Sequence, residues 1–362
     1  MNLRLSARQA LAQVASPPPS PTLGELEPRL SHVEQLMRQL VLEDGVDHLS
    51  HMVLTQLSAG GRRVRARLAL AAADAFGVPA TQGIAWAASV ELLHNATLIH
   101  DDIQDGDLVR RGKPTLWASH GVPQAINAGD LLLMLPYVAL AEMPALAQGR
   151  LAVLLAATSA RIVRGQASEL DLLSTERLDR QSYYAAARGK TGALFELPVT
   201  GAAVLGALDP ATVSECAVLF GRLGLAFQIQ DDILDLYGDK GKGLRGADVR
   251  EGKVSALIVE LLEVRPDKRH EVLAILRKER QQTTEEDVAH IAHLIQQSGA
   301  LRRTFAALGD LLDEVEASPL CDRYPGVRVL AAGLTQMILG PLSQLPLDEV
   351  TEFLGWEGSS AS

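Results

Sequence analysis

An eight-residue pattern occurs twice in this chain, as LIHDDIQD at 98–105 and as QIQDDILD at 228–235. In both copies two adjacent aspartates are followed, three residues on, by a third, and the flanks are apolar. If each copy is helical, its first and last aspartates lie four residues apart, on one face and separated by about 6 Å of rise. Bare carboxylates at that spacing repel, and apolar flanks argue that the face is not simply turned to water. A hard divalent cation removes the conflict. Mg²⁺ prefers one or two carboxylates completed by phosphate oxygens and water. Two such faces opposed would clamp a diphosphate through bridging metals, so the fold has to bring two distant helices together. A single acidic cluster reads more simply as a solvated helix face. Repetition in matching apolar context weighs against that.

The rest of the chain supplies helices. Breaks fall at SAGGRR (58–63), FGVP (76–79), SHGVP (119–123), LGALDP (205–210), the long loop 237–253 and ASPLCDRYPGVR (317–328). Between them apolar residues recur at helical spacing, as at Ile84, Ala87, Ala88 and Leu92 and along LAVLLAATSARIVRG. No stretch alternates long enough to predict a strand. The apolar share is 47%, mostly Ala and Leu, with only 4% aromatic residues, which favours an all-α protein. Nothing resembles a linker between 25 and 340. The expected organisation is a flexible N-terminal arm (1–24), one helical domain (25–345) and a C-terminal tail (346–362).

Other classes are excluded or disfavoured. A net charge of −10 argues against a nucleic-acid partner. Cys216 and Cys321 cannot form a disulfide framework, which points to the reducing cytoplasm. No transmembrane segment is expected. LLLMLPYVALAEMPALA at 131–147 is interrupted by Pro136, Glu142 and Pro144 and reads as a buried core helix. The N-terminus lacks the continuous apolar core of a signal peptide.

Cations accompany the acidic motifs. Arg110 and Arg111 follow the first in RRGKPT, and GGRRVRARL sets Arg62, Arg63, Arg65 and Arg67 behind a glycine pair. Guanidiniums bind phosphate bidentately, and glycine lets backbone N–H groups approach an anion. Lys190 stands in GKTGALF, and Lys240, Lys242 and Lys253 populate the loop after the second motif. That position suits a lid closing on phosphate better than a plain solvated connection.

Taken together, GGRRVRARL, ELLHNATLIHDDIQDGDLVRRGKPT, NAGDLLL, GQASELDLL, GKTGALF, GLAFQIQDDILDLYGD and GADVREGK resemble the trans-isoprenyl diphosphate synthases. These form the polyprenyl synthetase family, and the pattern is nearest to bacterial-type geranylgeranyl diphosphate synthases. The resemblance spans roughly 58–255. It implies a single antiparallel helix bundle around a deep central cavity, the isoprenoid synthase type I fold, usually as a homodimer. It implies a prenyltransferase that joins isopentenyl diphosphate to an allylic diphosphate held by about three Mg²⁺ ions. By matching position, Asp101, Asp105 and Asp231 are metal ligands, and Asp102, Asp232 and Asp235 are ligands or stand just behind them. Arg110, Lys190 and Lys242 hold the allylic diphosphate; Arg62, Arg65, His94 and Arg111 hold isopentenyl diphosphate; Thr191 and Gln228 line the reacting centre. His100 stands behind the ligands rather than among them, and Cys216, Cys321, Trp86 and Trp117 serve packing.

The family usually has Lys where Arg62 stands and Pro where Ala66 stands, and its lid loop is offset here by one residue, so Lys240 is an alternative to Lys242. Product length follows from Ala96 and Thr97, small residues just before the first motif, where aromatics would stop growth at C15 in this family. With Leu93 and its neighbours as the next floor, a C20 product is expected, ahead of a longer polyprenyl chain. Two further alternatives stay open: a class I terpene cyclase on the same scaffold, and a non-catalytic subunit of a heteromeric synthase.

Overall fold

Alanine- and leucine-rich segments become helices, and polar or glycine-containing breaks end them. In the computed structural model residues 23–354 are described, apart from 44, 142, 176–177 and 239–244. The helices begin with α1 (Leu23–Leu42), α2 (His48–Leu57), α3 (Val64–Ala75) and α4 (Ala80–Gln104). Next come the short α5 (Leu116–His120), α6 (Val122–Val138), α7 (Ala145–Asp171), α8 (Arg180–Ala187) and α9 (Ala193–Leu205). The second acidic motif lies on α10 (Pro210–Tyr237), followed by α11 (Ala247–Arg250), α12 (Ala256–Val264), α13 (Arg269–Leu276) and α14 (Glu285–Ser298). The described chain closes with α15 (Ala300–Glu316), α16 (Pro319–Arg323), α17 (Pro325–Leu342) and α18 (Asp348–Leu354).

Local chemistry sets the helix ends. Asp209 caps α10 through the Ala211 and Thr212 amides, 3.0 Å each, and Pro210 occupies the first turn, where its missing N–H costs nothing. Thr284 and Asp287 form a reciprocal capping box on α14. Arm residues 1–22 and residues 355–362 lie outside the described residues. Within 346–362, α18 packs on α15, with the Phe305 and Phe353 rings 5.2 Å apart.

α4 is the centre of the bundle. Its residues from Ala85 to Ala96 are buried on every side, held among α1, α3, α6 and α9. The fully buried Trp86 donates its indole N–H to the Pro198 carbonyl of α9 at 2.8 Å, and Gly201 leaves the space its ring fills. α9 packs in turn on α10, which packs on α15 and α17. The two motif helices are thus joined through one continuous apolar core.

Three expectations change. A two-stranded hairpin, β1 (Val109–Arg110) and β2 (Lys113–Pro114), interrupts the helical architecture. Segment 131–147 is not one buried helix: α6 ends at Val138, the chain turns, and Met134 and Val138 are exposed. Pro136 is accommodated inside α6; past Val138 the Leu140, Ala141 and Met143 amides bond three residues back, to Tyr137, Val138 and Leu140, in a turn that leads to Pro144 at the start of α7. Finally, α7 and α10 are each long and apolar enough to cross a membrane by length and composition, contrary to the sequence reading. More than half of the α10 window is buried in the protein core. α7 carries Arg150, Arg161, Arg164 and Glu169 along its length.

Candidate active site

The second aspartate of each pair turns inward. Asp102 is buried, and the Arg110 guanidinium donates to it from the hairpin. Asp232 is buried and accepts from Tyr183 Oη at 2.5 Å, the Ala256 amide at 2.6 Å and Gln228 Nε2 at 2.9 Å. Burial raises both pKa values against these donors, Asp102 to about 6. Each buried aspartate therefore anchors the segment that follows its motif: the arginine hairpin in one case, the start of α12 in the other.

The remaining aspartates are less alike. Asp101 and Asp105 are half-buried and Asp231 is exposed. Asp235 is buried and accepts from the Asp248 amide at 3.0 Å. Asp101 has its pKa raised by burial, which the Lys190 charge opposes.

Cations lie on the first motif. Lys190 Nζ stands 3.7 Å from Asp101 and 2.9 Å from Glu169. Lys253 Nζ stands 2.8 Å from Asp105 and 2.9 Å from Glu251. Burial disfavours the charge on both lysines, but the carboxylates outweigh it and hold their pKa values above the ordinary range. Lys190 sits in a single π-helical turn, Arg188–Gly192, which α7 can approach because Gly165 has no Cβ to strike the Lys190 backbone. Such widened turns recur at functional sites. The next residue, Thr191, donates to Gln228 Oε1 at 2.7 Å. This turn therefore touches the first motif through one residue and, through the next, the side chain that holds the second.

A second basic group lies beside the first motif. In the hairpin turn, Arg111 (φ +53°) and Gly112 (φ +73°) adopt the left-handed pair of a tight two-residue connection. Arg111 donates to the Gly60 carbonyl and lies where a side chain on Gly61 would collide with it. That explains Gly61, whereas Gly60 is called for by its backbone, at φ +81°. Arg62 is exposed at the rim, whereas Arg65 lies 3.2 Å from His94 Nε2 and over the Phe195 ring. Among the described residues Arg65 Nε and His94 Nδ1 are both buried without a partner. Burial and then the neighbouring arginines, Arg65 first, hold His94 well below its usual pKa, so it is neutral at pH 7; burial first also lowers Arg65 to about 10. Arg63 is structural: it pairs with buried Glu91, which also accepts from the Ala66 amide.

Lys240 and Lys242 lie outside the described residues. His100 turns away toward Asp130 on α6, 3.5 Å off. Ala96 and Leu93 are fully buried on α4, and Thr97 is half-buried. Trp117 does more than pack, since its indole donates to the Asp107 carbonyl at 2.8 Å. Sequence reasoning gave no role to Glu169, Tyr183, Glu251 or Arg280. Glu169 and Glu251 stood inside matching segments, GQASELDLL and GADVREGK; Tyr183 and Arg280 carry no comparable signal.

The sequence pattern of the polyprenyl synthetase family matches residues 46–295. The chain belongs to that family. A short chain isoprenyl diphosphate synthase of Methanocaldococcus jannaschii is 34% identical over 252 residues, 68% of this chain and 76% of that protein. A geranylgeranyl diphosphate synthase of Methanosarcina mazei is 32% identical over 247 residues, 67% of this chain and 76% of that protein. Among solved structures, a polyprenyl synthase of Caulobacter crescentus complexed with calcium and isoprenyl diphosphate superposes with a TM-score of 0.76. It is 28% identical, covering 89% of this chain and 98% of that one. As a member of the polyprenyl synthetase family the chain is a prenyltransferase with the all-α isoprenoid synthase fold.

Proposed function

We propose that the protein condenses isopentenyl diphosphate with an allylic diphosphate, with Mg²⁺, to give a trans-polyprenyl diphosphate, chiefly C20. The π-helical turn carries this reading: Lys190 lies by Asp101 of one motif, and Thr191 bonds Gln228, which holds Asp232 of the other. A diphosphate seated there meets carboxylates from two helices, with Arg110 and Lys253 at hand. The donors are hard carboxylate oxygens, which suits Mg²⁺. Among the described residues no three metal-ligating side chains converge on one point, so diphosphate and water oxygens would complete each ion's shell. In this reading Asp101, Asp105, Asp231 and Asp235 hold about three ions. Bound Mg²⁺ neutralises the charge that builds on the departing diphosphate.

The protein's own groups do the rest. Arg110, Lys190 and Lys253, joined by Lys242, orient the allylic diphosphate. Arg62, Arg65, Arg111 and neutral His94 hold isopentenyl diphosphate, and the unpartnered Arg65 Nε and His94 Nδ1 fit an incoming anion. Thr191 and Gln228 orient the reacting ends. The proton lost after coupling goes to the released diphosphate, because the Asp232 carboxylate is already committed to three donors. The catalytic unit is residues 25–345, acting in the cytoplasm, where the buried thiols of Cys216 and Cys321 stay reduced.

Two tests follow. Purified protein given Mg²⁺, isopentenyl diphosphate and each allylic primer should yield C20 as its main product by chromatography, and chelation should abolish turnover. A sole C15 product would overturn the chain length, and hydrocarbon released from an allylic diphosphate alone would favour a cyclase. A homodimer is supported by the apolar side chains that α6 and α7 leave exposed, among them Met134, Leu146, Val153 and Val163. Light scattering should give twice the 38.8 kDa chain mass; a monomer at micromolar concentration would refute it.

A further inference from the structure

We propose that Arg280, which lies in neither motif, is a positioning residue for prenyl transfer: it fixes the loop after the first motif against the segment after the second. The inference rests on the reading of the site given above. From the turn between α13 and α14, Arg280 reaches Asp107 Oδ1 at 3.1 Å and donates to the Asp105 carbonyl at 3.4 Å. Its other nitrogen lies 2.9 Å from Glu251 Oε1.

Two chains of charge start at this guanidinium. One runs through Glu251 to Lys253 and ends on Asp105. The other runs through Asp107 to Arg110, 3.8 Å away, and ends on Asp102. Both pass through a cation assigned to the allylic diphosphate, and both end on a carboxylate of the first motif.

The surroundings are stiff enough for Arg280 to set a position. Arg250 donates to the Thr283 carbonyl at 2.7 Å and pairs with Glu285 at 2.7 Å, tying the 280–285 turn to α11. Lys278 pairs with Asp287, which completes the capping box with Thr284 at the start of α14. On the other side of Arg280, in the loop after the first motif, Thr115 and Trp117 both donate to the Asp107 carbonyl at 2.8 Å. An exposed ion pair adds little stability, and the Arg280 side chain is 46% exposed while Glu251 is only 8% exposed. Its value lies in geometry. A planar fork can address acceptors on two loops at once, whereas a lysine presents a single point charge.

The test uses the full chain, an unreactive allylic thiolodiphosphate with Mg²⁺ in titration calorimetry, steady-state kinetics and thermal melting. Arg280→Gln should weaken analogue binding and raise the allylic KM about tenfold, with kcat within about threefold and melting unchanged. In a Glu251→Gln background the same substitution should cost less than in the wild type, because one partner is already gone. Arg280→Lys, which keeps the charge and the fold but not the fork, should also bind the analogue more weakly. Unchanged analogue affinity in both Arg280 variants overturns the proposal while leaving the functional reading intact. So does a loss that persists undiminished in both Glu251→Gln and Asp107→Asn backgrounds, or a fall in kcat with KM preserved. Wild-type protein that does not bind the analogue would overturn the functional reading itself, and the proposal with it.

Discussion

Asp101→Asn should lower kcat for the condensation by about 10³-fold or more while leaving the fold intact. The carboxylate is assigned to the metal–diphosphate cluster, and removing one element of charge stabilisation at a departing group costs rates of that order. The fold should tolerate the change, since Asp101 is half-buried and Lys190 keeps Glu169 at 2.9 Å. Asp102→Asn, one residue on, should behave differently. Asp102 is buried against Arg110, so that substitution weakens a charge-assisted bond and leaves a guanidinium poorly paired, costing about 1–3 kcal/mol of stability. Thermal melting and the Mg²⁺ concentration for half-maximal rate separate the two. Asp101→Asn should shift the metal dependence with little change in melting, and Asp102→Asn should lower the melting temperature as well. Equal destabilisation by both would mean that the inward and outward members of the pair have been misassigned.

That division between paired aspartates marks how far the sequence could be read. The four-residue spacing placed Asp101 with Asp105 and Asp231 with Asp235 on common faces, because helical periodicity is local and survives in a single sequence. The inward role of Asp102 and Asp232 depends on where the chain returns, at Arg110 and at the Ala256 amide, and no local pattern encodes a return. The hairpin 109–114 escaped notice because two-residue strands have no measurable alternation. Its cue was Gly112 after an arginine pair, with Arg111 itself in the left-handed region. Arg280 shows the limit most clearly, since its partners at Asp107 and Glu251 lie in distant segments. Single residues on unremarkable turns acquire roles only through tertiary structure.

Thr97→Phe should shorten the main product from C20 to C15 with the fold retained. Thr97 lies one turn before Asp101 on α4, hence on the face that carries the first motif. It is half-buried, although residues 89–96 before it are buried throughout, so its side chain is the first along this stretch to be partly accessible. Its hydroxyl donates to the His94 carbonyl of its own helix, at 2.7 Å, an interaction whose loss costs about 1 kcal/mol or less. An aromatic ring there occupies the space into which the chain would grow. Ala96→Phe is the informative companion. Ala96 is fully buried, so a ring at that position has to displace packed neighbours and costs about 1–3 kcal/mol, lowering the melting temperature whether or not the product shortens. Product chromatography and melting of the two variants place the wall of the growing chain. Shortening by Thr97→Phe at wild-type stability puts it on the Asp101 face, while unchanged C20 from that variant would move it to another side of α4.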